Sequence, residues 1–60
     1  MRTKAALVML AAHGRRRADA AETEADAHRG KPKAIALAKE ALAFNKAAEL
    51  VSELAERTET

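Results

Sequence analysis

The side chains able to do chemistry in this chain are few, and their spacing keeps them apart. His13 and His28 are the two histidines; on one helix they sit about 22 Å apart and cannot share a metal ion. Glu22, Glu24, Asp26 and His28 form an oxygen-rich run, which helical spacing splits. Asp19, Glu22 and Asp26 share a face with Arg15 and Arg29, while Glu24 points elsewhere. That face reads as a solvated exterior laced with opposite charges. Ser52 and the threonines have no histidine placed to activate them. Two glycines are too few for a phosphate-cradling loop, and a chain without cysteine has no thiol nucleophile, disulfide or thiolate zinc site. A two-helix chain of this size also offers no ligand-sized cavity. The expectation is a protein that is not an enzyme, with no metal, no other cofactor and no small-molecule substrate.

The arginines offer a different chemistry. Arg15, Arg16 and Arg17 are consecutive, so on a helix they fan out by 100° each and ring it. Lys46 is expected opposite them. Asp19 is placed to neutralise Arg15, which leaves Arg16, Arg17 and Lys46 as an unpaired basic belt at mid-chain. Arg29, Lys31 and Lys33 gather with His28 in a second basic cluster. These seven cations are the candidate contacts to nucleic-acid phosphates or to an acidic protein surface. The net charge of +2 is mild, Trp and Tyr are absent, and the single Phe is assigned to the core. No base-stacking platform follows from that composition. A small nucleic-acid-binding regulator is therefore the second reading.

The elements that hold these residues are written in the alanines. Ala11, Ala18 and Ala25 recur every seventh residue, as do Ala41, Ala48 and Ala55, with Gly30-Lys31-Pro32 between the sets. Small side chains at heptad spacing let two helices lie close together. Gly30 suits the left-handed position past a helix end, and Pro32 the first turn of the next helix. Lys31 is a poor N-cap. The fold class is all-α: one domain over residues 1–60, an antiparallel helical hairpin with an alanine-rich seam. Helix 1 is expected at about 3–29, the turn at 29–32 and helix 2 at about 32–57. If facing residues sum to about 62, the seam pairs Leu7 with Ala55, Ala11 with Val51, Gly14 with Ala48, Ala18 with Phe44, Ala21 with Ala41 and Ala25 with Leu37. Lys4 and Thr58 continue it outward. Large then meets small along most of the seam. Gly14 weakens the first helix, and its close approach to Ala48 is the reason expected for it.

Such a hairpin is short of bulk. Seventeen residues are alanine, and only Met1, Leu7, Val8, Met9, Leu10, Ile35, Leu37, Leu42, Phe44, Leu50, Val51 and Leu54 are large and apolar. A 60-residue chain seldom stabilises itself on so little. Helix 2 nonetheless carries a second apolar stripe of Ala36, Ala43, Ala47, Leu50 and Leu54, and helix 1 a thinner strip of Ala5, Met9, Ala12, Ala20 and Ala27. A face that wide implies a second layer of helices. Met9, Ala36, Glu40, Ala43, Ala47, Leu50 and Leu54 are the predicted protein interface. Glu40 lies within the stripe and either reaches solvent or meets Arg16 of another chain. The expected partner is a second copy, giving a four-helix bundle, or a larger protein on which the hairpin docks as a small subunit or adaptor.

The layout resembles that of Rop, a plasmid-encoded RNA-binding protein of similar length whose helical hairpins dimerise into a four-helix bundle. The likeness covers nearly the whole chain through the seven-residue seam and the Gly30/Pro32 turn. It implies the bundle and carries over no functional residue, since no RNA-contact motif is shared. Arg2 and Lys4 before the apolar run 5–12 are similar to a targeting segment, but Arg15-Arg16-Arg17 directly afterwards opposes export. The segment is read as plain helix and the location as cytoplasmic. No stretch approaches the ~20 apolar residues of a membrane span, so a membrane partner is not expected.

Overall fold

The computed structural model describes residues 2–59, and Met1 lies outside them. Two helices, α1 (Thr3–Ala27) and α2 (Pro32–Glu56), run antiparallel and are each 25 residues long. Alanine, leucine, glutamate, lysine and arginine fill both, all strong helix formers. Their ends are weak. Arg2 and Lys31 occupy the N-cap positions in extended conformation without a side-chain cap. Neither helix has an acid in its first turn or a base in its last, so the helix dipoles go uncomplemented. Packing between the helices therefore carries the fold.

The turn differs from expectation by two residues. Helix α1 ends at Ala27, before the predicted 29, and Arg29 belongs to the turn. The His28 N–H reaches back to the Glu24 and Ala25 carbonyls at 3.2 and 3.1 Å, and the Lys31 N–H donates to the His28 carbonyl at 3.0 Å. That last bond closes a reverse turn whose third residue is Gly30, at φ +87°. Only a residue tolerant of positive φ fits there. Lys31 is extended, as the residue before a proline prefers, and Pro32 opens α2. Helix α2 stops at Glu56, one residue short of the expected end, where the Thr58 hydroxyl donates to the Leu54 carbonyl at 2.8 Å.

The predicted register holds. A Cβ built on Gly14 would lie 3.2 Å from the Ala48 Cβ, so the two backbones approach closely there, and α1 runs unbroken through Gly14. Ala18, Ala21 and Ala41 form the buried cluster against which Phe44 packs. Along both helices every seam position from Leu7 to Ala25 and from Leu37 to Thr58 is buried or half-buried; Lys4 is exposed. Flanking the seam, Arg15 Nη2 donates to Ser52 Oγ at 2.8 Å and Asn45 Nδ2 to Glu22 Oε1 at 3.4 Å. These rungs lie one heptad apart on one side of the hairpin. Arg17 and Glu40 form the rung on the other side.

The core is almost all alanine. Among the described residues Ala11, Ala18, Ala21, Ala41, Ala48 and Ala55 are buried, and Leu37 is the one larger apolar side chain with them. The radius of gyration is 13.8 Å, against about 10 Å for a compact chain of this length. The molecule is a single layer of two helices whose interior admits Leu37 and otherwise only alanine.

Two substitutions test this construction by urea unfolding, followed by circular dichroism at matched protein concentration. Ala18→Leu overfills the tightest part of the seam and is expected to cost about 1–3 kcal/mol. Gly30→Ala meets no neighbour, yet forces a side chain into positive φ and is expected to cost about 1 kcal/mol.

Candidate protein-interaction face

The two sides of the hairpin have different chemistry. On the back, Arg15, Ser52, Glu22 and Asn45 cover the seam with hydrogen bonds. On the front, Leu10, His13, Gly14, Phe44, Ala47, Ala48 and Val51 line a shallow groove of about 210 Å³. Leu54, 49% exposed, stands on the same flank one heptad beyond Ala47, and Leu50, 54% exposed, lies farther round α2 at the outer edge of the stripe. Ala36, Ala43 and Ala47 are also exposed and extend the apolar stripe of α2 toward the turn. The front is thus most apolar toward the open end, where α1 begins and α2 ends.

Glu40 sits where that stripe becomes charged. It is exposed, as one reading had it, and it also finds a partner within its own chain. Arg17 of the same chain approaches to 3.6 Å, with both side chains about half exposed. Arg17 also lies over the Phe44 ring, its Cζ 5.4 Å from the centroid. A front-flank position on α1 reaches diagonally across the seam, so Arg17 meets Glu40 and Phe44, where direct opposition would give Asn45.

The unpaired belt is corrected. Arg17 is taken by Glu40, Arg15 donates to Ser52 where Asp19 was expected, and Arg29 bonds Asp26 at 3.1 Å. Arg16 stands two residues from buried Ala18, and Lys46 two residues from buried Ala48. At 200° from those positions they point away from the seam on opposite outer faces. Among the described residues Arg16, Lys31, Lys33 and Lys46 have no ion pair within 4.0 Å. Lys31 and Lys33 remain neighbours at the turn, and no joint patch with Arg16 or Lys46 forms.

Met9 is 58% exposed, but it lies farther round α1 beside Ala6, Leu10, His13 and Arg16. Leu10 is the large apolar α1 side chain that borders the front groove, with His13 beside it. Sequence reading passed over it, although it occupies the same flank position as Arg17 one heptad earlier. Phe44, assigned wholly to the core, is half-buried and forms part of the groove floor. Val8, Ile35 and Leu42 are further exposed apolar residues, Leu42 the most so at 71%. Leu42 borders a separate depression on the back with Glu22, Asp26 and Asn45.

No three histidine or acidic side chains converge among the described residues, and no helix among them is long and apolar enough to cross a membrane. In comparisons with known proteins the chain matches no family model, no curated protein and no solved structure. The likeness to Rop therefore rests on length and helix order.

The Arg17–Glu40 pair marks the edge of the apolar face more than it stabilises the hairpin. A double-mutant cycle with Arg17→Ala and Glu40→Ala is expected to give a coupling below about 1 kcal/mol. That coupling should shrink with added salt, as read from urea midpoints in low and high sodium chloride.

Proposed function

We propose that this chain is a non-enzymatic helical interaction module that acts by protein–protein association, as a homodimer or as a small subunit or adaptor on a larger protein. The observation that carries the reading is the inversion of bulk. The buried core is alanine with one leucine, while Leu10 and Leu54 stand about half exposed on the flanks of a groove floored by Phe44 and Val51, with Leu50 exposed at the outer edge of the same stripe. The accessible surface is 4578 Å² for 6.4 kDa, about 800 Å² above that of an average folded monomer of this mass. One partner's share of a standard interface is of that size.

Nucleic-acid binding through Arg15, Arg16 and Arg17 draws less support. Two of those arginines are engaged within the chain, and Arg16 points to the outer face of α1, away from Lys46 on α2. The same three arginines, following the apolar run of α1, argue against export and for a cytoplasmic setting.

Leu50→Glu and Leu54→Glu are expected to abolish association and lower the thermal midpoint. Leu42→Glu, on the other side of the hairpin, is expected to leave association unchanged. Light scattering coupled to size exclusion, with circular dichroism over a dilution series, reads both effects. A wild-type chain that remains a fully helical monomer throughout the dilution would overturn the reading.

A further inference from the structure

We infer that the occupant of the front face is a second copy of this chain, packed front to front with both turns at the same end of a four-helix bundle. This rests on the interaction-module reading and adds the partner and its orientation. Two hairpins can face each other about a two-fold axis in two ways. With the axis along the hairpin, α1 of each copy lies on α2 of the other at the same height. With the axis across it, α1 lies on α1 and the turns are at opposite ends. Neighbouring helices are antiparallel in both, so helix dipoles do not choose between them.

The order of side chains along the front flank does. From the open end toward the turn, the rungs between the helices are Leu10 with Ala47, Arg17 with Glu40 and Glu24 with Lys33, one heptad apart. Apolar residues occupy one half and opposite charges the other, where Arg17 and Glu40 form an ion pair and Glu24 and Lys33 do not. With the turns together, Leu10 and Leu54 of each copy meet the other copy's apolar groove, and Leu50 borders the contact at its rim. Arg17 then meets Glu40 of the second copy at the offset it already spans within its own chain, and Glu24 meets Lys33 likewise. Each cation gains an anion and no like charges face each other. With the turns apart and the hairpins fully overlapped, the dyad crosses near the middle of α1. Arg17 would then lie within a turn of Arg17 of the second copy. Leu10 would be carried toward Glu24, and Leu54 toward Lys33, which desolvates charge against leucine. The apolar half of one face is complementary to itself, and the charged half is too. An unrelated partner would have to reproduce both in the same order.

The test is a pulsed dipolar distance measurement on the full chain carrying one nitroxide at Lys31→Cys. The native chain has no cysteine, and Lys31 lies in the turn outside the apolar face. With interaxial distances of 8–10 Å, turns at the same end place the labelled backbones about 10–20 Å apart, and a distance in the short range supports the inference. A distance near the 45 Å length of the hairpin would overturn the orientation. Absence of dipolar coupling with a monomer mass would overturn the second copy as occupant. In that case circular dichroism separates the two proposals: an unfolded monomer still calls for another protein, and a helical one removes the interaction-module reading as well.

Discussion

Everything in this hairpin depends on how closely two backbones approach along the alanine seam. A Cβ on Gly14 would press on Ala48 at 3.2 Å, and Ala18, Ala21 and Ala41 are packed together farther along the seam. Close approach brings many weak dispersion contacts per residue. It also removes the volume in which leucines would ordinarily be buried. The same constraint that fixes the register thus starves the core and expels bulk to the flanks.

What the flanks then hold separates the two sides. On the back, polar groups bridge the helices at heptad intervals through Arg15 with Ser52 and Glu22 with Asn45. On the front the equivalent positions carry Leu10 and Ala47 before they reach Arg17 and Glu40. The seam is bridged by polar groups on the back, where Leu42 stays exposed beyond them, and is left apolar to solvent on the front. Arg17 stands at the border: its guanidinium covers one edge of Phe44 and pairs with Glu40. A planar cation suits that place, because it stacks on an aromatic face and bonds a carboxylate at once.

The seam was fully legible in the sequence because heptad spacing and residue size are both written there. Gly30 and Pro32 likewise announced the turn through backbone preferences that no tertiary contact overrides. The end of α1 was less legible. The closing of the His28–Lys31 turn sets it, and no residue type marks Ala27 as a last helical position. Charge partners were least legible of all. Direct opposition across the seam predicts Asn45 for Arg17, whereas long side chains on a flank meet residues about five positions away. Leu10 went unweighed for the same reason: its importance comes from sharing a flank with Phe44, Ala47 and Val51, a neighbourhood set by which side of the seam faces front.

The bare helix ends give the exposed face its thermodynamic meaning. Without N-cap side chains or charges complementary to the dipoles, neither helix has much stability of its own. An alanine seam adds less burial per residue than a leucine core does. Covering Leu10, Leu50 and Leu54 therefore adds to the free energy of folding itself as well as to that of association. A partner that binds only the folded chain raises its stability with the logarithm of partner concentration. For a hairpin built this way, an occupant of the front face would make folding and association one equilibrium, its concentration setting how much of the chain is helical.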